Sequence, residues 1–148
     1  MENIITWKLR GSTEINDKTF GIIMAIIIFA AAFFGVPYLI DFARYGSEKY
    51  EMNSMQVAAT SFRAFRADGA APTSVQDLID GVSAADSIDG TKHERLMEPK
   101  SGRWQNGQYC DAWGQAFQFT QDADGLDIII SGGKDKQIGT EDDIIVYY

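Results

Sequence analysis

The 148-residue chain has one cysteine, one histidine and three prolines. With Cys110 alone, no intramolecular disulfide can form. His93 sits in a polar stretch with no nucleophile or second base patterned around it, so histidine-based catalysis has no constellation to work in. Basic residues are also scarce. There are 13 Lys and Arg against 21 Asp and Glu, giving a net charge of −8 with no basic patch, which argues against a nucleic-acid partner. Nothing around Cys110 would lower a thiol pKa, and it reads as a small buried side chain. Trp104, Tyr109 and Trp113 read as aromatic core ahead of a ligand platform. No small-molecule substrate and no enzymatic activity are expected. Repeats and low-complexity tracts are absent.

The longest absence is of charge. From Phe20 to Ile40 the chain reads FGIIMAIIIFAAAFFGVPYLI, 21 residues without a charge. As a helix rising about 1.5 Å per residue this is roughly 31 Å long, enough for a bilayer core. It carries no polar face, unlike a buried helix of the same length. A single membrane span is predicted. The rival reading is a cleaved signal peptide, with Lys8, Arg10 and Lys18 before it and Ala30 to Ala32 as small residues; the unbroken apolar run to Ile40 opposes that. Three basic residues precede the span, while Arg44 and Lys49 follow it, so the N-terminus is placed in the cytoplasm. The expected order is a cytoplasmic tail (1–19), a transmembrane helix (20–40) of the inner membrane, an amphipathic continuation (41–68) and an extracytoplasmic domain (69–148). In the tail, Ile4, Ile5, Trp7 and Leu9 suit either a membrane surface or an unstructured segment.

Beyond the span, Phe42, Tyr45, Met52, Met55, Ala59, Phe62 and Phe65 recur at threes and fours, with one gap of seven through Lys49. Arg44, Glu48, Gln56, Arg63 and Arg66 fill the opposite face. No proline interrupts 41–68, and Asp68-Gly69 followed by Pro72 closes the pattern. One helix from Phe20 to Ala67 is predicted, kinked at Pro37. Phe42, Tyr45 and Met52 are read as partner-facing, toward copies of this chain or related membrane subunits. Burial under their own domain is the other reading.

The remainder predicts a small α+β domain. PTSVQDLIDG reads as a short helix capped by Thr73 or Ser74, with Val75, Leu78 and Ile79 inward. Residues 83–108 read mostly as loop. Strands are predicted at 115–121, 126–131 and 143–148, the first two joined by the hairpin signal DADG. They make a three-stranded antiparallel sheet packed on the long helix.

Before the last strand comes SGGKDKQIGTEDD, where Asp135, Glu141, Asp142 and Asp143 crowd a loop studded with glycines. A hard cation such as Ca²⁺ takes six to eight oxygens at about 2.3–2.6 Å. The candidate ligands are Asp135 and either Asp142 or Asp143 by side chain, helped by carbonyls near Ser131 and Gly133. Adjacent aspartates in an extended segment point opposite ways, so one ligates while the other faces solvent or caps a turn. The spacing is not that of an EF-hand. A solvated acidic turn without metal is the competing reading.

Taken in order, these features resemble the G-type, or major, pseudopilin of type II secretion systems and the wider type IV pilin-like family. The likeness covers roughly residues 20–148. APTSVQDLIDG (71–81) is similar to that family's YPTTEQGLEAL, and DAWGQAFQF (111–119) to its D-P-W-G-N-P-Y-x-Y. Ser131, Gly133, Asp135, Gly139, Thr140, Asp142, Asp143 and Ile144 match its S-x-G-x-D-x-x-x-G-T-x-D-D-I ending. The resemblance implies a structural Ca²⁺ in the terminal loop and assembly through the N-terminal helices. One feature departs. The family's prepilin-peptidase site, Gly followed by Phe-Thr-Leu-x-Glu, is replaced by NDKTFGIIMAI, with no glutamate in the span. If Pro37 stands at the kink proline of pilins, Phe20 takes the glutamate's place. The expected function is a non-enzymatic, calcium-stabilised structural subunit of a secretion or pilus-type envelope assembly. The alternative is an uncleaved bitopic accessory subunit of another envelope machine.

Overall fold

In the computed structural model, residues 17–148 are described, with side chains from Phe20 onward. The expected cytoplasmic tail lies outside this range except for its last three residues, which already belong to helix α1 (Asp17–Ala30). A π-helical turn (Ala31–Gly35) follows, then α2 (Val36–Phe65). Pro37 accounts for the wide turn. It has no N–H to donate to the carbonyl of Phe33, and its ring would strike that carbonyl in a regular α-helix. Within the described residues one helical run, Phe20–Phe65, is long and apolar enough to cross a membrane. Its best window has a mean hydropathy of 2.5 and none of it is buried in the protein.

From Phe42 onward the chain forms a separate compact unit. Helix α2 supplies its spine: Met52, Met55, Ala58, Ala59 and Phe62 are buried, at the spacing of one helix face. Met52 is 0% exposed, which corrects its assignment as a partner-facing residue: it fills the domain's own core. Short helix α3 (Val75–Asp80) adds Val75 and Leu78, with Ile79 half-buried. Of the two candidate caps, Ser74 is the one used. Its hydroxyl accepts from the Asp77 amide, and the Asp77 carboxylate accepts from the Ser74 amide, a reciprocal capping box.

The predicted three-stranded antiparallel sheet is present, in the order β3 (Gln118–Gln121), β4 (Asp127–Ser131), β5 (Ile144–Tyr147). Gln118 pairs with Ile130 and Ile128 with Tyr147. Successive residues of a strand face opposite sides, and Ile128, Ile129 and Ile130 are all buried, so β4 is covered on both faces. The DADG turn forms as expected, with Gly125 at φ +79° donating to the Asp122 carbonyl.

Residues 83–108 are mostly loop, as read, but they also contain a 3₁₀ turn (Ser101–Arg103) and most of a hairpin, β1 (Trp104–Gln105) with β2 (Gln108–Tyr109). Its turn is Asn106-Gly107, both at positive φ, as a two-residue hairpin requires. The first strand also starts later than 115. Asp111 Oδ1 accepts the amides of Trp113 (3.0 Å) and Gln115 (2.8 Å), which draws the preceding residues into a turn.

Candidate functional site

Two clusters of carboxylates stand out, one foreseen and one not. The foreseen cluster is the loop between β4 and β5. Gly133 has φ +62°, and a Cβ there would collide with the carbonyl oxygen of Asp142 and meet its Oδ2 at 2.6 Å. Only glycine permits this approach. Asp142 Oδ2 accepts the Asp135 amide at 3.0 Å, and Oδ1 accepts the Thr140 hydroxyl at 2.8 Å. These bonds hold the Asp142 carboxyl below the ordinary carboxylate range, the Asp135 amide contributing most. Asp143 turns elsewhere: its Oδ2 accepts the amides of Gly139 (2.6 Å) and Thr140 (3.3 Å), capping that turn. Asp135 Oδ1 accepts the Gln137 amide at 2.8 Å. Ser131 is fully buried; its hydroxyl donates to Asp111 Oδ2 at 2.8 Å and accepts the Gly133 amide at 3.5 Å.

The loop therefore brings Gly133, Asp135 and Asp142 together, with the Ser131 hydroxyl on the Gly133 amide and the Thr140 hydroxyl shared between Asp142 and Asp143. Among the described residues no three His, Cys, Asp or Glu side chains gather as a metal-holding group. The atoms of Asp142 that face Gly133, its carbonyl oxygen and Oδ2, are oxygens, the kind a hard cation takes.

The unforeseen cluster lies on α2. Glu48, placed on the polar face by the sequence pattern, is 0% exposed, and Glu51 one turn on is 2% exposed. Glu48 Oε2 accepts from Arg103 Nη1 at 2.8 Å and from the Ala112 amide at 2.8 Å. Its other oxygen is buried with no hydrogen-bond partner among the described residues. Burial pushes the Glu48 carboxyl up, against the lowering by Arg103 and the Ala112 amide. Glu51 accepts the Tyr109 hydroxyl on one oxygen and pairs with Lys100 through the other. The Tyr109 hydroxyl in turn accepts the Lys100 amide at 3.0 Å, and its pKa is raised by burial and by Glu51, which keeps it a donor. This clamp ties residues 100–112 to the helix. A signal for it exists in the sequence: the gap of seven between Tyr45 and Met52 is where Glu48 continues the apolar stripe, four residues before Met52.

The remaining candidates are quickly placed. Phe42 is 68% and Tyr45 41% exposed, with Lys49 Nζ lying 4.8 Å from the Tyr45 ring centre. The His93 ring stacks on Phe65 with centres 3.9 Å apart, and its Nε2 lies 3.1 Å from Asp89 Oδ1. Cys110 is buried, and burial raises its pKa. Tyr109 is buried and Trp113 packs against the core, whereas Trp104 stays partly exposed. Compared with protein-family models, curated proteins and solved structures, the chain matches none of them.

Proposed function

We propose that this chain is a non-enzymatic, membrane-anchored structural subunit of a secretion or pilus-type envelope assembly, similar to a major pseudopilin. One observation carries the reading. The same helical run that contains the apolar window, Phe20–Phe65, also supplies the spine of the folded domain through Met52, Met55, Ala59 and Phe62. Such a subunit is held at the inner membrane with its N-terminus in the cytoplasm and its domain outside. Its partners are copies of itself or related subunits, met through the N-terminal helix and the exposed Phe42 and Tyr45.

A structural Ca²⁺ in the β4–β5 loop belongs to this reading. Asp142 and Asp135 would hold it by carboxylate, with carbonyls near Ser131 and Gly133, while Asp143 caps the turn. The ion would supply positive charge that the loop's backbone amides provide only in part, and would pin β5 to β4. The second reading, a stationary and uncleaved accessory subunit, is favoured by Phe20 standing where a peptidase site needs glutamate.

The test is extraction from native membranes in mild detergent, followed by native size analysis and intact mass. A large complex containing the chain is expected, and a monomer would sink both readings. Within the complex, a mass beginning between Asn16 and Ile22 selects the processed, polymerising subunit. A mass including the whole N-terminal segment selects the stationary one.

A further inference from the structure

The six Lys and Arg residues from Arg63 to Arg103 each pair with a carboxylate. Arg44 and Lys49 do not. Both are exposed, and among the described residues neither makes an ion pair. Lys49 instead rests its ammonium 4.8 Å from the Tyr45 ring centre. The acids on either side of Lys49, Glu48 and Glu51, are buried and taken up by Arg103 and Lys100. Asp41, where the apolar run ends, is half-buried. On a chain of net charge −8, the first turns beyond that run therefore present two cations to solvent with no exposed acid between them.

Their depth and spread say what faces them. Along α2, at about 1.5 Å per residue, Arg44 lies roughly 6 Å past Ile40 and Tyr45 roughly 7.5 Å. A headgroup layer is about 5–7 Å deep on each side of the hydrocarbon core. Helical side chains lean toward the N-terminus, so Arg44 and Lys49 reach back toward Ile40, and the Lys49 ammonium over Tyr45 shows that lean. Five residues at about 100° each also set the two cations about 140° apart around the axis. A protein docked on one side of the helix meets one of them. A headgroup layer encircles the helix and meets both.

We propose that Arg44 and Lys49 form a cationic collar that binds the phosphates of anionic phospholipids in the bilayer crossed by the span. The clamp makes the collar possible, because it buries Glu48 and Glu51 and supplies their counter-charges from residues 100–103. The proposal rests on the membrane-anchored reading above and adds the lipid class to it. The acidic remainder of the chain is repelled by the same headgroups, so the attraction is confined to this turn of the helix.

The test uses the full chain in nanodiscs of mixed phosphatidylcholine and phosphatidylglycerol. Spin-labelled versions of the two lipids are compared for the fraction immobilised at the protein. Phosphatidylglycerol should be preferred, and the preference should fall about fivefold for each cation neutralised in Arg44→Gln and Lys49→Gln. It should also shrink as salt is raised. Arg44→Lys combined with Lys49→Arg should keep it. Lys92→Gln, at an exposed ion pair, should leave it unchanged. Equal immobilisation of the two lipids, or a preference that survives the double neutralisation, would overturn the proposal while the anchored reading stood. A chain that stays out of the nanodiscs and washes off vesicles in carbonate would overturn both. Equal immobilisation with crosslinking between copies that the double neutralisation abolishes would overturn it too, assigning the cations to an acidic surface of a second copy.

Discussion

The carboxylates at 48–51 and those at 135–143 are neutralised by different partners. In the helix clamp the counter-charges are side chains, Arg103 and Lys100, and the acids are buried. In the terminal loop the counter-charges are backbone amides of the loop itself, with Asp142 and Asp143 near solvent. A buried ion pair depends on both members, because removing one strands the other in a low dielectric. An amide-capped loop depends on the turns that aim its N–H groups. The clamp is therefore a structural brace, and under the calcium reading proposed above the loop is the part that responds to solution.

The largest effect should come from halving the clamp. Arg103→Ala leaves Glu48 without its cation and should destabilise the full chain by about 3–5 kcal/mol in denaturant unfolding. The double change Glu48→Met with Arg103→Met should recover most of that loss, since a buried pair replaced whole by apolar side chains is often neutral. If the single change proves silent, Glu48 is being neutralised by something other than Arg103.

Next comes the loop's response to calcium. With Ca²⁺ at 100 times its dissociation constant, stability should exceed that in chelator by about 2.7 kcal/mol. Asp142→Ala should remove the difference and Asp143→Ala should leave most of it, because Asp142 faces Gly133 and Asp135 whereas Asp143 caps a turn. Melts that coincide with and without chelator would return the loop to a self-capped acidic turn.

The same contrast explains what the sequence made legible. The long helix, the capped α3 and the three strands are written in local patterns: heptad-like spacing, a Ser-x-x-Asp box, β-branched runs around DADG. The terminal loop was visible because its acids are neighbours in sequence. The clamp was not, because Arg103 and Glu48 are 55 residues apart and neither residue's burial is encoded locally. A glutamate on a helix reads as solvated until its partner is known. Met52 was misplaced for a related reason. It follows the gap created by the clamp, so it was grouped with the exposed Phe42 and Tyr45 before the gap, when it belongs with Met55 and Ala59 after it. The β1–β2 hairpin was a missed signal. Gln105-Asn106-Gly107-Gln108 announces a two-residue turn, but strands of two residues show no alternation to support it.

A smaller effect tests whether the two regions are coupled where β4 ends. The Ser131 hydroxyl bonds Asp111 Oδ2 in the interior, next to the residue whose backbone serves the clamp. Ser131→Ala should cost about 1–2 kcal/mol by leaving that carboxylate oxygen short of a partner. Calcium dependence should be retained, because the candidate ligand at this position is the backbone carbonyl, while the hydroxyl is engaged by Asp111 and the Gly133 amide. Loss of the calcium response in this variant would place Ser131 Oγ among the ligands.

The finest discrimination is by pH, where the two regions should behave with opposite signs. Glu48 is raised from its ordinary 4.5, chiefly by burial. Its stabilising contribution is complete below 4.5 and is lost as pH rises through the raised folded-state value, because the folded state then holds a proton that the unfolded state releases. Asp142 is lowered from 3.8, chiefly by the Asp135 amide. Its contribution is present above 3.8 and is lost as pH falls through the depressed value. Glu48→Gln should therefore flatten the profile only on the side above 4.5, and Asp142→Asn only on the side below 3.8. Stability against pH for the two variants and the parent, recorded with chelator present, reads both slopes. A Glu48→Gln profile parallel to the parent above 4.5 would mean that Arg103 outweighs burial and keeps Glu48 ionised throughout. The clamp would then share the sign of the loop, and the distinction between brace and responsive segment would rest on the calcium result alone.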